Sequence, residues 1–329
     1  MTEFQIPLES LPTLTDKVVL ITGTSSGIGK ATVELCLSLG AKVIAGDINP
    51  LPDDFQPQDQ ASLLFVQTDV SDWDSIRNIF AQGFKQFGVI DHVFANAGIA
   101  PRGNFLEERF EGNDIDGDEE GDRGGEREKL LEPPDLRTIN VNLIGVINTV
   151  RLGVYYLRRR QPTAPPTNDQ DTAPKKNNHD EEPSPSITLT ASASSFQNFS
   201  GGDYTIAKHG VLGIVRALVN DLTADSELGR KVRLNAIAPS WTATGIVPGH
   251  VLKSRGVVVQ EPEDVARSVV FLFGDEKRHG EVIYSWGGRY CEINKAEGGL
   301  LDGAAGIVPN IKDEGPVMER IKGRYGGCI

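Results

Sequence analysis

Residues 17–40 read KVVLITGTSSGIGKATVELCLSLG, an apolar run that passes through closely spaced glycines into a helical pattern. Lys17 to Thr22 is predicted to be a strand, and Ile28 to Leu39 a helix that Gly40 stops. A glycine-rich turn at that junction lets backbone N–H groups approach a pyrophosphate, and the helix N-terminus adds favourable partial charge. Gly23, Thr24, Ser26, Gly27, Ile28 and Gly29 are therefore candidate cofactor contacts. A tight strand-to-helix turn alone would use similar glycines, but the placement between strand and helix favours a nucleotide.

Outward from this unit, strand-like and helix-like segments keep alternating, as in βαβ units around a parallel sheet. Strands are predicted at Lys42–Asp47, Leu63–Gln67, Asp91–Ala95, Ile187–Thr190, Val232–Ile237 and Glu281–Tyr284. Helices are predicted from Ser71 to about Phe87, from near Pro134 to about Arg158, from Tyr204 to about Leu222, and over Pro262–Phe273. The fold class implied is α/β: a Rossmann-type, doubly wound parallel sheet of about seven strands in a three-layer α/β/α arrangement. One domain spanning 1–329 is expected, with its core at about 17–288. A Gly- and acid-rich stretch at about 103–132, and one with prolines, asparagines and mixed charges at about 161–185, read as loop insertions. Residues from about 289 to 329 read as a C-terminal extension.

Composition narrows the function classes. The 329 residues carry a net charge of −13, and eleven acidic and three basic side chains between Glu107 and Glu128 account for −8 of it. Such a balance disfavours nucleic acid as a partner. Asp114, Asp116 and Asp118 alternate like a calcium loop, but Glu119 and Gly125 stand where that loop needs Gly and Glu, so no metal is expected. Cys36, Cys291 and Cys328 form no CxxC pair, and neither a leader nor a membrane-spanning run is evident. A cytoplasmic protein that contacts no membrane is the expectation.

Further candidates cluster after the predicted strands. Asp47 ends the second strand, where a carboxylate can accept both ribose hydroxyls of an adenosine and repels a 2′-phosphate, favouring NAD over NADP. Asp69 and Val70 follow the third strand, and Asn96, Ala97 and Gly98 the fourth. Tyr204 and Lys208 stand at i and i+4 on one helical face, where an ammonium would favour the phenolate and pull the phenol toward the working range of an acid/base catalyst. Ser192, twelve positions before Tyr204, could bond the same substrate oxygen.

Taken in order, TGTSSGIG, NAG, Ser192 and YTIAK resemble the short-chain dehydrogenase/reductase family, over about Lys17 to Gly288. TDVSDWDSI, FANAGI and TINVNLIGV look most like its NAD-using branch with hydroxyprostaglandin dehydrogenase-like enzymes. The resemblance implies that Tyr204 is the general acid/base, that Lys208 tunes it and holds the nicotinamide ribose, and that Ser192 orients the substrate. It also implies that Asn142 supports a proton-relay water, with Asn140 the competing position. Pro239, Thr242 and Thr244, in NAIAPSWTATGI, match the segment contacting the nicotinamide. The departures are Ala95, Ser240 and Trp286, and a Ser-to-Tyr interval one residue short, since Ala191 occupies the usual spacing; Ser194 is the poorer alternative serine.

The expected activity is NAD-dependent interconversion of a secondary alcohol and a ketone, on a lipophilic or secondary-metabolite substrate. Phe196, Phe199, Trp241 and Val247 offer that substrate a lipophilic or aromatic lining. A cyclase, an isomerase or an NAD-binding regulatory module on the same scaffold is the alternative. Val146, Val150, Val154, Leu212, Val215 and Leu218 exceed one sheet-facing stripe, so a homodimer or homotetramer through the helices carrying Asn142 and Tyr204 is expected.

Overall fold

A computed structural model describes residues 2–53, 55, 59–102, 105–108, 131–159, 184–223, 231–245 and 249–307. The strands are β1 (Glu3–Phe4), β2 (Val18–Thr22), β3 (Lys42–Asp47), β4 (Leu63–Gln67), β5 (His92–Ala95), β6 (Ser186–Thr190), β7 (Arg233–Pro239), β8 (Val282–Trp286) and β9 (Arg289–Glu292). They form one sheet in the order β1-β9-β8-β7-β6-β5-β2-β3-β4. Strands β2 to β8 run parallel, while β9 pairs antiparallel with β8 and β1 antiparallel with β9.

The central parallel strands bury both faces, as the apolar runs of β2 and β3 require. In β2, Val18 and Leu20 join the cluster under α2 (Trp73–Phe87), α4 (Gly145–Leu157) and α5 (Gly202–Thr223), which contribute Phe80, Val150 and Val215. Val19 and Ile21 face the other way, toward Val33 of α1 (Gly27–Ser38) and Val269 of α7 (Pro262–Gly274). A short α3 (Arg137–Ile139) and a π-helical turn (Asn140–Ile144) lead into α4. The remaining helices are α6 (Gly249–Ser254) and α8 (Leu300–Ile307). None of the described helices is long and apolar enough to cross a membrane.

Strand order reverses between β2 and β5, so the carboxyl ends of these two strands open a crevice of the kind that binds ligands in doubly wound sheets. The turns carrying Gly23 and Asn96 line it.

Three expectations change. The seven parallel strands are extended by two short antiparallel ones, and Arg289–Glu292, assigned to the C-terminal extension, is sheet. The reason is local: Gly287 and Gly288 have φ of +53° and +74°, so they form a two-residue hairpin rather than a stop. The surplus apolar residues also point inward, since Val146, Val150, Leu212 and Val215 are buried and Val154 and Leu218 pack against the same core. The exposed apolar positions on these helices are instead Ile147, Tyr155 and Ile206, with Ile144 in the π turn. The acidic segment with Asp114, Asp116 and Asp118, most of both proposed insertions, Val247, Cys328 and everything beyond 307 lie outside the described residues.

Candidate active site

The glycine turn is dictated by contact distances. A Cβ at Gly29 would fall 1.8 Å from the Gly23 carbonyl oxygen, so only glycine lets α1 start this close to the strand it follows. Gly23 has φ +72° and its N–H donates to Gly46 O at 2.7 Å. Ser26 precedes the helix without a side-chain cap, and no carboxylate sits in the first turn. The leading N–H groups thus remain available to an anion. Thr24 is buried, its hydroxyl without a protein partner.

The other cofactor candidates gather around this turn. Asp47, at the end of β3, accepts from the N–H groups of Ser25 and Asn49, both at 2.9 Å, which fixes its carboxylate beside the turn. Asn96 donates to the carbonyls of Thr22 and Gly23 at 3.1 Å and accepts from Thr190 Oγ1 at 3.2 Å, tying β2, β5 and β6 together. The Ala97 N–H donates to Thr22 Oγ1 at 3.1 Å, and a Cβ on Gly98 would approach Asn142 Oδ1 at 3.2 Å. Thr244 lies over the turn from across the sheet: a Cβ on Gly27 would meet its methyl group at 3.1 Å. Pro239 ends β7, and the Thr242 hydroxyl donates to Ser240 O at 2.9 Å. Asp69 is exposed and its carboxylate accepts from the Ser71 N–H at 2.8 Å, while the Val70 side chain packs into the core.

Three catalytic candidates converge at the start of α5. Tyr204 lies within hydrogen-bonding reach of the Ser192 hydroxyl. The Lys208 amine donates to Thr190 O at 2.6 Å and sits 5.7 Å from the centre of the Tyr204 ring. The electrostatics differ from the expectation that Lys208 lowers the phenol's pKa. Burial pushes Tyr204 above its ordinary range, with the Ser192 bond pulling part of the way back, and burial holds Lys208 down to about 8. Desolvation sets both directions because both groups are largely removed from water, and the Lys208 ammonium is not among the groups that shift the phenol.

Ser192 is the serine brought to Tyr204. It caps the 3₁₀ turn Ala193–Ser195 by accepting from the Ser194 N–H at 3.2 Å, and the Ser194 hydroxyl is buried without a protein partner. Asn142 is fully buried in the π turn, whereas Asn140 is exposed. Its amide is spent on one neighbour: Oδ1 accepts from Ile99 N at 2.8 Å and Nδ2 donates to Ile99 O at 2.9 Å.

The short chain dehydrogenase family profile matches residues 17–116. A short-chain dehydrogenase/reductase of Acremonium egyptiacum, ascJ, is 37% identical over 97% of this chain and 93% of its own. The chain belongs to the short-chain dehydrogenase/reductase family. Human 15-hydroxyprostaglandin dehydrogenase (NAD(+)) is 27% identical, covering 81% of this chain and 90% of its own. The crystal structure of a 3-ketoacyl-(acyl-carrier-protein) reductase from Brucella melitensis complexed with NADH superposes with a TM-score of 0.60 at 21% identity, over 84% of this chain and 98% of that one. This family member is accordingly an oxidoreductase acting on CH–OH groups with a nicotinamide cofactor.

Ser195 escaped sequence reasoning, and Gln260 is a second buried residue that supports the site. Ser195, 1% exposed, accepts from Ser192 N at 3.1 Å and donates to Lys208 O at 2.7 Å, joining the serine turn to the helix of Tyr204. Gln260 is equally buried and pairs with the Trp241–Ala243 segment. Neither belongs to a motif, and only the spacing of Ser195 from Ser192 could have drawn attention to it.

Proposed function

We propose that this chain is an NAD-dependent oxidoreductase that interconverts a secondary alcohol and a ketone on a lipophilic substrate, with Tyr204 as general acid/base. The observation that carries the reading is the phenol of Tyr204 against Ser192, with the Lys208 amine one helical turn along. The dinucleotide, when bound, takes up or returns the hydride of the carbinol carbon. Ser192 orients the substrate oxygen. Tyr204 donates its proton to a ketone, or accepts the alcohol proton when oxidation runs. Lys208, with a pKa of about 8, is mostly protonated at neutral pH and so supplies the cation that favours phenolate during that transfer. Because the Asn142 amide is committed to Ile99, its main chain is the part left to hold a relay water.

NAD is favoured by Asp47, whose carboxylate is held beside the turn where a 2′-phosphate would have to sit. The prostaglandin dehydrogenase relatives named for NAD support the same choice. Incubation with NAD or NADP and a panel of secondary alcohols, followed by nicotinamide absorbance, is the test. Expected is reduction of NAD with at least about a tenfold preference in kcat/KM, eroded by Asp47→Ala. A preference for NADP would overturn the cofactor assignment, and failure of both alcohol oxidation and ketone reduction would overturn the activity.

We further propose a cytoplasmic homodimer or homotetramer paired through α4 and α5. Support comes from Ile147, Tyr155 and Ile206, which are 44%, 50% and 50% exposed on these helices, and from the free, buried thiols of Cys36 and Cys291, which suit a reducing compartment. Light scattering should give a multiple of the 35.6 kDa chain mass that falls toward that mass in Ile147→Asp. A monomer at every concentration would contradict the pairing.

A further inference from the structure

We propose that Phe199 and Trp241 form a preorganised corner that takes a planar aromatic group of the substrate, with Gln260 as the residue that positions it. The inference rests on the alcohol/ketone reading above and names the substrate class. Phe199 and Trp241 are 41% and 37% exposed, their ring centres 5.8 Å apart and their planes at 62°. Three other aromatic side chains near this edge of the sheet have partners within the fold. Phe196 meets Tyr284 edge-on at 5.8 Å, Tyr284 stacks on Trp286 at 5.1 Å, and the Arg289 guanidinium covers Trp286 at 5.0 Å. Rings that look alike in sequence are thus divided into a packed set and an open pair.

The main chain that carries the open pair is hydrogen-bonded on both sides despite the exposure of the rings. Phe199 O accepts from Gly201 N at 2.8 Å and from Thr205 Oγ1 at 3.0 Å, in the turn just before Tyr204. Trp241 O accepts from Gln260 N at 3.0 Å, and Gln260 O accepts from Ala243 N at 2.9 Å. The Gln260 amide nitrogen adds bonds to Thr242 Oγ1 at 3.2 Å and to Ser285 O and Oγ at 3.1 Å. Trp241 is therefore fixed by a fully buried glutamine, two residues beyond the end of β7 and three before the Thr244 that covers the glycine turn. Phe199 stands five residues before Tyr204 in the chain and Trp241 three before Thr244, so the pair joins the acid/base segment to the cofactor segment. The side chains that hold them, Thr205, Thr242 and Gln260, are uncharged, so ring stacking supplies the recognition instead of ion pairing. A platform ordered before binding spends little affinity on its own immobilisation.

The test compares 1-phenylethanol with 1-cyclohexylethanol, which differ in ring planarity, in the wild type and in Trp241→Leu, Phe199→Leu and Gln260→Met, each checked for an unchanged circular dichroism spectrum. Expected is an aryl preference of about tenfold in kcat/KM that collapses toward unity in all three variants, with the aryl loss falling in KM more than in kcat. No aryl preference in the wild type, or the same preference in the variants, overturns the corner. Should neither alcohol be turned over with NAD or NADP, the oxidoreductase reading fails by itself and acetophenone binding decides the corner. Saturable quenching of tryptophan fluorescence that disappears in Trp241→Leu supports it, and equal quenching in both proteins overturns it.

Discussion

The turn between β2 and α1 and the segment from Thr190 to Lys208 belong to one candidate site but are held by different physics. The turn is held by exclusion: no side chain fits at Gly29, where a Cβ would lie 1.8 Å from a backbone oxygen. The Thr190–Lys208 segment is held by side-chain hydrogen bonds, from Ser195 to Lys208 O at 2.7 Å and from Lys208 to Thr190 O at 2.6 Å. Exclusion permits one residue type at one spacing. Hydrogen-bonded positioning can be met by several, which is why the serine interval here departs by one residue while the glycine turn does not.

The comparison can be broken first at the turn. Gly29→Ala should cost more than about 3 kcal/mol in denaturant unfolding, since the atom it meets is backbone and cannot swing away. A loss below about 1 kcal/mol would show that the turn yields and that exclusion does not hold it.

A smaller effect of opposite sign is expected in the Thr190–Lys208 segment. Lys208 has a pKa of about 8 in the folded chain against an ordinary 10.5, and is buried. Between these values the unfolded chain binds a proton that the folded chain does not, so stability rises with pH across that window. Below about pH 8 both states are charged and the burial cost is paid in full. Lys208→Met should therefore stabilise the cofactor-free protein by about 1–2 kcal/mol at pH 7, after allowing for the lost bond to Thr190, and should flatten the rise from pH 8 to 10. A destabilised variant, or an unchanged slope, would mean that the ammonium is better solvated than its burial implies.

The same division governs what could be read from sequence. β3 and β4 match their predicted bounds because continuous apolar runs closed by Asp47 and Gln67 announce parallel strands, and α7 begins at Pro262 as expected for proline in a first turn. β1, two residues long, has no periodicity to read, and β9 was hidden because Gly287-Gly288 can stop a strand or reverse it. The surplus valines of α4 and α5 were misplaced because composition counts apolar positions without saying how deep a helix sits. In the site, Tyr204, Lys208 and the glycine turn were legible as motifs. The raised phenol and the depressed amine were not, since desolvation depends on everything packed above them.

The most direct measurement is turnover of Tyr204→Phe with NAD and an oxidisable secondary alcohol, alongside NAD affinity measured separately. Loss of the hydroxyl should lower kcat by about a thousandfold or more while NAD affinity stays within a few-fold, because the phenol handles protons and not the docking of the dinucleotide. Turnover near the wild-type rate would contradict the assignment of Tyr204 as the acid/base.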